Sequence, residues 1–260
     1  MGAGSGPDPA STTSRLRSAG CVAAEDEAAE LIDAAAGDRA LLDALVSRRC
    51  RGEPLAWLVG SVRFCGERVT IHPGVYVVRW QSEPLALEAV RRLPHQGRAV
   101  DLCCGSGAIA LVMARRRPGA RVVASDIDPV AVECARANGI EAYAGDVASG
   151  LPTGLGLTGQ VYVVTAVPPY VPTAELRLLP RDTLAYEPRA ALDGGPDGTE
   201  LLQRVVAAAA GLLRPGGSLL VELGGDEAAR LRPTLEARGY RDIELLADDD
   251  GDLRGLCCRR

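Results

Sequence analysis

From residue 98 onward the chain alternates short apolar segments with segments of helical periodicity, and this alternation constrains the fold more than any other feature. Strands are predicted at residues 98–103, 121–125, 141–144, 161–165 and 218–223, and helices at 108–116, 129–138, 201–213 and 227–238. Alternation of this kind builds an α/β fold with a parallel, doubly wound sheet. An acidic turn separates two last strands, at 242–246 and 254–258, and this pair predicts an antiparallel edge.

The first 83 residues are predicted to divide into three parts. Residues 1–13 consist mainly of Gly, Ser, Pro and Ala with almost no apolar anchors, so we expect a disordered tail. Residues 14–51 carry apolar side chains at helical spacing, broken at Gly37-Asp38, and predict a small domain of two short helices. Residues 52–83 alternate around Gly66 and predict a hairpin that links this domain to the one formed by residues 84–260.

Composition and charge argue against several classes of protein. The formal net charge of −5 disfavours a general nucleic-acid surface, which needs clustered positive charge. None of the eight cysteines forms a C-x-x-C pair, so we expect buried thiols and no metal site, with the pairs 103–104 and 257–258 inside strands. No stretch approaches the roughly 18 apolar residues of a membrane span. The start of the chain has no signal-peptide pattern, so a cytoplasmic protein is expected.

The best candidate for a ligand site follows the first strand of the alternation. Residues 100–108 run from an apolar strand into a turn with Gly105 and Gly107 that opens a helix. Glycines at such a turn let the backbone approach a ligand closely. About twenty residues further on, Asp126 ends the next strand, where a carboxylate can accept hydrogen bonds from ribose hydroxyls. Asp146 follows the strand after that, in a position to accept a hydrogen bond from an adenine amino group.

Three acids therefore stand at neighbouring strand ends: Asp101, Asp126 and Asp146. Together they would attract a sulfonium cation and repel a pyrophosphate, which favours S-adenosylmethionine (SAM) over NAD. Taken alone, Asp128 or Asp146 can equally cap a helix, but three acids in register favour the cofactor. The other residues predicted to bind it are Cys103, Gly105, Gly107, Ile127, Val147 and Val167.

Several of these segments resemble class I SAM-dependent methyltransferases of the HemK/PrmC type. The resemblance rests on residues 101–108, 125–129, 145–146, 168–170, 186–188, 191–198, 213–217 and 222–224, and upstream on 52–54 and 79–83. It covers residues 50–258 and implies a Rossmann-like sheet that binds SAM at its strand ends. Enzymes of this type methylate the side-chain amide of a glutamine in peptide-chain release factors.

The chain departs from this family at the acceptor motif. The family has Asn-Pro-Pro-Tyr, whose asparagine holds the acceptor amide by paired hydrogen bonds, and the corresponding residue here is Val167. Each missing partner of a buried polar group costs about 1–3 kcal/mol. The family proline of the upstream segment is replaced by Val78, and Gln81 and Ser82 also differ. We therefore expect an acceptor other than a glutamine amide.

The residues expected on the acceptor side are Tyr170, Pro168, Val167, Glu83 and Trp80. Tyr170 follows an apolar strand, and its ring and the indole of Trp80 can stabilise the sulfonium by cation–π attraction. Glu83 is a candidate for binding an amine or removing a proton, as are Tyr186 and Glu187, and Glu222 is expected to brace the site.

These residues leave three functions open. The first is methyl transfer from SAM to a small molecule or to a protein acceptor that is not a glutamine amide. The second is a lyase reaction on SAM itself, as in secondary metabolism, which releases methylthioadenosine and forms 1-aminocyclopropane-1-carboxylate or azetidine-2-carboxylate. The third is a SAM-binding protein without catalytic activity, which the loss of the asparagine at Val167 permits.

Overall fold

The alternation forms one sheet in the computed structural model, which describes residues 9–248 and 250–260. The strands are β1 (Ser61–Phe64), β2 (Glu67–Thr70), β3 (Arg98–Leu102), β4 (Arg121–Asp126), β5 (Glu141–Ala144), β6 (Val161–Ala166), β7 (Leu213–Glu222), β8 (Arg241–Ala247) and β9 (Leu253–Arg259). The helices are α1 (Pro9–Ser18), α2 (Ala24–Ala35), α3 (Arg39–Cys50), α4 (Leu55–Val59), α5 (Glu83–Arg92), α6 (Ala108–Arg116), α7 (Pro129–Ala137), α8 (Arg181–Tyr186), α9 (Glu200–Leu212) and α10 (Glu227–Ala237). Within the described part of the chain, none of these helices is long and apolar enough to cross a membrane.

The strand order of the seven-stranded sheet is β5-β4-β3-β6-β7-β9-β8. Pairing is parallel from β5 to β7, whereas β9 runs antiparallel to both of its neighbours. This confirms the predicted α/β sheet with an antiparallel edge. The chain winds outward from β3 to β5 and then returns to the other side of β3 with β6. Parallel sheets bind ligands beyond the carboxyl ends of the strands at such a reversal.

Two apolar layers hold the sheet, one on each face. Ala99 of β3 belongs to the buried cluster that contains Leu85 of α5 and Val112 of α6. Val100, the next residue, belongs to the opposite cluster with Leu202 of α9. Alternate residues of a strand point to opposite faces, so a strand that is covered on both faces is apolar throughout. This explains why the sheet strands are visible in the sequence as short apolar runs.

A small helical domain precedes the sheet, and it begins earlier than predicted. The prediction of a disordered tail is wrong for residues 9–13, which form the first half of α1, and residues 1–8 lie outside the described residues. Leu16 of α1 is fully buried with leucines of α2 and α3, and Arg15 pairs with Asp43 at 2.8 Å. The two helices predicted within residues 14–51 are α2 and α3.

The predicted hairpin around Gly66 is confirmed, and one side chain ties it to the sheet domain. Strands β1 and β2 pair antiparallel, and Cys65 and Gly66 have φ values of 50° and 82°, as a two-residue type I′ turn requires. The Asn138 side chain accepts from the N–H of Thr70 at 2.8 Å and donates to its carbonyl at 2.9 Å. It also donates to the Ser106 carbonyl at 2.9 Å. The hairpin is therefore held against the turn after β3.

The two cysteine pairs lie in different surroundings. Cys257 and Cys258 are buried in β9 and belong to opposite apolar clusters, as predicted for adjacent strand residues. Cys103 and Cys104 differ from the prediction because β3 ends at Leu102, so both lie in the turn beyond the strand. Burial raises the pKa of all four thiols, which favours their protonated form.

Candidate active site

A cavity of about 560 Å³ opens at the carboxyl ends of β3, β4, β5 and β6. The predicted residues that line it are Cys103, Gly105, Asp126, Ile127, Asp146, Val147, Val167, Pro168 and Tyr170. The predicted residues that lie outside its lining are Asp101, Gly107, Glu83, Trp80, Tyr186, Glu187 and Glu222. The sheet therefore brings the cofactor side and the acceptor side of the predicted site together in one cavity.

The turn after β3 contains two glycines with different roles. A Cβ on Gly105, which has a φ of 53°, would have no atom within 4 Å, so this position opens onto the cavity. A Cβ on Gly107 would come within 2.9 Å of the Ala135 Cβ. Gly107 is therefore required for packing α6 against α7, and it does not line the cavity. Cys103 also has a positive φ, of 53°, although it is not a glycine.

Asp126, the last residue of β4, is held by backbone donors from two sides. Its Oδ2 accepts from the N–H of Gly105 at 2.8 Å, and its Oδ1 accepts from the N–H of Asp128 at 2.9 Å. Burial raises the pKa of the carboxyl, and these backbone N–H groups oppose the rise. A carboxylate oxygen can accept more than one hydrogen bond. The side chain is thus fixed at the cavity wall, and its oxygens keep lone pairs that can accept hydrogen bonds from the two hydroxyls of a diol.

Asp146, after β5, has a partner that the sequence did not suggest. Arg204 of α9 forms an ion pair with it, and both side chains line the cavity with about half of their surface exposed. The ion pair lowers the negative charge that this acid brings to the site. Two apolar side chains border the same part of the cavity, Ile127, which is 66% exposed, and Val147, which is buried. They provide flat apolar surface of the kind that a purine ring contacts.

Asp101 lies behind the cavity wall. Its side chain is 1% exposed and accepts a hydrogen bond from Thr165 Oγ1 at 2.6 Å, on the neighbouring strand β6. Burial raises the pKa of this carboxyl to about 7. The carboxyl therefore bonds to β6 and does not line the cavity, and direct binding of the cofactor by Asp101 stays a prediction.

The raised pKa of Asp101 predicts how the stability of the ligand-free protein depends on pH. The folded protein keeps this proton up to about pH 7, whereas the unfolded chain releases it near the ordinary value of 3.8. Unfolding between these values releases a proton, so the free energy of unfolding falls as the pH rises, by up to about 1.4 kcal/mol per pH unit. Denaturant titrations near pH 5 and pH 6 measure this slope. An Asp101→Asn variant is expected to show a smaller slope, and equal slopes for the two proteins would contradict the assignment.

Tyr170 is anchored by a buried carboxylate beneath the cavity. Its hydroxyl donates to Glu222 Oε1 at 3.2 Å, and the Ser82 hydroxyl donates to Glu222 Oε2 at 2.5 Å. Ser82 and Glu222 are both buried, and burial raises the pKa of Glu222 and of Tyr170. The phenol is therefore neutral at neutral pH, and its O–H is directed away from any ligand. Glu222 has the bracing contacts that the sequence predicts for it.

Two glycines fix the backbone of Tyr170. A Cβ on Gly194 would come within 2.7 Å of the Tyr170 Cα, and one on Gly198, where φ is 77°, would overlap the Tyr170 carbonyl oxygen. A parallel bridge between Val171 and Asp193 continues this contact. Segment 193–198 thus packs against the backbone of residues 170 and 171. The close approach explains why positions 194 and 198 are glycines.

Glu83 and Trp80 do not line the cavity, and their catalytic roles stay predictions. Glu83 begins α5, and its Oε1 accepts from the N–H of Cys65 in the hairpin turn at 2.7 Å. Trp80 is 57% exposed, with the guanidinium carbon of Arg254 5.7 Å from its ring centroid. Residues 80–82 form a 3-10 turn that directs Ser82 inward and leaves Trp80 at the surface. The sequence indicated the segment but not which of its side chains faces the site.

Comparison with known proteins identifies the family. Residues 69–150 match the family model of the methyltransferase small domain. A release factor glutamine methyltransferase of Geobacter sulfurreducens is 37% identical over 210 residues, which cover 80% of this chain and 73% of that protein. The chain belongs to the HemK/PrmC family of class I SAM-dependent methyltransferases. SAM is accordingly its methyl donor.

Two further similarities extend this result. The methyltransferase is 34% identical over 205 residues to a 4-amino-L-phenylalanine/4-methylamino-L-phenylalanine methyltransferase of Streptomyces pristinaespiralis, covering 75% of this chain and 69% of that protein. Its fold is similar to that of a methyltransferase from Pyrococcus furiosus, with a TM-score of 0.54 at 18% identity, over 82% of this chain and 96% of the other. The relatives therefore include one that is named for a protein substrate and one that is named for a small-molecule substrate.

Proposed function

We propose that this methyltransferase transfers the SAM methyl group to an amine nitrogen of a small molecule. The observation that supports this most directly is Val167 at the end of β6, where the family motif has asparagine. Val167, Pro168 and Tyr170 line the same cavity as the residues that we assign to the cofactor. In this arrangement Asp126 binds the ribose hydroxyls, and Gly105 allows the backbone to approach the ligand.

The loop formed by residues 167–170 offers an amide no free side-chain donor. An amide presents a carbonyl, which requires a hydrogen-bond donor, as well as N–H groups, which require acceptors. The valine side chain has neither, and Pro168 and Pro169 have no backbone N–H. The Tyr170 hydroxyl is already bonded to Glu222. Backbone carbonyls are the groups that this loop offers, and they suit the N–H groups of an amine.

A neutral amine also fits the chemistry of the site. When bound, SAM supplies the methyl group. The nitrogen lone pair forms the new N–C bond, and the electrons of the broken C–S bond stay on sulfur. The ammonium product then releases a proton. A neutral amine needs no base before the attack, so the task of the chain is to align nitrogen with the S–CH₃ bond. The clamped backbone of Tyr170 and the two prolines provide a rigid surface for that alignment.

Purified protein incubated with SAM tests this proposal in three parallel reactions analysed by mass spectrometry. The first contains amines, including 4-amino-L-phenylalanine, the second contains an intact release factor, and the third contains SAM alone. We expect S-adenosylhomocysteine and a methylated amine in the first reaction, and neither with an Asp126→Ala variant. Methylation of release-factor glutamine with no amine product would overturn the proposal.

The reaction with SAM alone tests the other functions that the sequence leaves open. Methylthioadenosine in this reaction would indicate cyclisation of the aminobutyrate arm of SAM and would also overturn the proposal. Neither of the relatives named above is described as a lyase. Both are named as methyltransferases, so the relatives also give no support to a protein without catalytic activity.

A further inference from the structure

A second cavity of about 970 Å³ adjoins the first. It lies between the helical domain, the β1–β2 hairpin and the segment around α8, and is lined by residues of all three, including Arg49, Val62 and Asp182. Its lining shares two residues, Tyr76 and Leu192, with the cavity at the strand ends, which we call the SAM cavity. Tyr76 and Leu192 therefore lie where this outer cavity meets the first.

The backbone on both sides of Tyr76 is fixed by hydrogen bonds. The Trp57 indole N–H donates to the carbonyl of Val75 at 2.9 Å. The N–H of Val77 donates to Glu187 Oε2 at 3.3 Å, and the Glu187 side chain is only 2% exposed. Residues 75–77 are thus attached to α4 on one side and to a buried carboxylate on the other. The position of Tyr76 is set by these contacts and not by regular secondary structure.

The Tyr76 ring itself is held by a cation. The Arg79 guanidinium carbon lies 5.2 Å from the ring centroid, and the same guanidinium forms an ion pair with Glu187. Burial raises the pKa of the Tyr76 phenol to about 12, so it is neutral at neutral pH. The ring therefore provides an uncharged aromatic surface where the two cavities meet.

We infer that Tyr76 is a specificity-determining residue that selects an acceptor with an aromatic ring next to the reacting amine. This inference rests on the proposed function and deepens it. Tyr76, Leu192 and Tyr170 line the same cavity as Val167. An aromatic ring gains about 0.5–1.5 kcal/mol from a well-placed aromatic partner beyond the burial of its area, whereas an aliphatic chain of similar length does not.

The outer cavity fits the rest of such an acceptor. Charged side chains of both signs line it, with Glu30 and Asp33 from α2 and Arg63 and Arg68 from the hairpin. A polar or charged tail on the far side of the ring would therefore remain among polar partners while the amine enters the SAM cavity. The class of acceptor that this geometry favours is an aromatic amine with a charged tail.

Two substitutions at Tyr76 test the inference. Tyr76→Phe keeps the ring, and Tyr76→Leu replaces it with a smaller aliphatic side chain. The measurement is kcat/KM for 4-amino-L-phenylalanine and for L-lysine, an aliphatic amine with the same charged end, and the ratio of the two values is compared between proteins. Tyr76→Phe is expected to leave this ratio within about 3-fold of wild type. Tyr76→Leu is expected to lower it about 10-fold, mainly through KM for the aromatic acceptor.

An equal loss for both acceptors in Tyr76→Leu would overturn the inference, because it would show a general effect on the site. Binding of the same two amines to enzyme saturated with S-adenosylhomocysteine, measured by calorimetry, needs no turnover and separates the two proposals. Ring-dependent binding without methylation of any amine would contradict the proposed function and support the role of Tyr76. Methylation of amines with no dependence on Tyr76 would support the proposed function and contradict the inference.

Discussion

Replacing Asp126 with alanine is expected to weaken SAM binding by at least about 100-fold. The carboxylate is the acceptor that we assign to the ribose hydroxyls, and hydrogen bonds to a charged group contribute about 1.5–3 kcal/mol each. Two such bonds correspond to about 100-fold or more in affinity. The substitution also removes the acceptors of the Gly105 and Asp128 N–H groups, which orient the turn at the cavity wall.

Calorimetric titration with SAM measures this effect, and two control variants show its origin. Asp126→Asn keeps the shape of the side chain but loses the charge, so we expect an intermediate affinity. Glu141→Gln removes a carboxylate at the start of β5, where it pairs with Arg121 at 2.9 Å, outside the cavity lining. It is expected to bind SAM as the wild type does. An Asp126→Ala variant with unchanged affinity would show that the cofactor does not use this acid.

The sheet could be predicted from the sequence because its signals are local. Strand β5 (Glu141–Ala144) and helix α6 (Ala108–Arg116) have the predicted bounds, and most other sheet strands differ by one residue at one or both ends. Strand β7 is the exception, because it begins at Leu213, five residues before the predicted strand and at a residue predicted to end a helix. Pro129 at the start of α7 and the glycines after β3 mark helix boundaries by their backbone preferences. The cofactor end of the site follows from the sheet, since Asp126 and Asp146 lie at the ends of parallel strands.

The acceptor side depends on contacts between distant parts of the chain, and here the sequence was less informative. Asp101 was expected in the cavity, but its strand is covered on both faces and Thr165 of the next strand provides its partner. Tyr76 carries no motif, and its position is fixed by Trp57 and Glu187 from opposite directions. Arg204 reaches Asp146 only because α9 packs beside β6. Nothing near these residues in the sequence indicates such contacts.

Restoring asparagine at position 167 is expected to give the protein measurable activity on a glutamine amide. The Val167→Asn side chain would supply one donor and one acceptor at the end of β6, which match the carbonyl and the N–H of an acceptor amide. At about 1–3 kcal/mol for each partner, the pair contributes about 2 kcal/mol or more. Methylation of an intact release factor by Val167→Asn is therefore expected to exceed that by the wild type at least about 25-fold.

A Val167→Asp variant is the matched control for this gain. Aspartate has the size and shape of asparagine but offers no donor to the acceptor carbonyl, so we expect no gain on the amide. Val167 is half-buried, so both side chains introduce a polar group of similar size at the same position. The measurement is the rate of S-adenosylhomocysteine formation with release factor and with amine for each of the three proteins. If Val167→Asp gains as much as Val167→Asn, or if neither gains, the identity of residue 167 is not what excludes the amide.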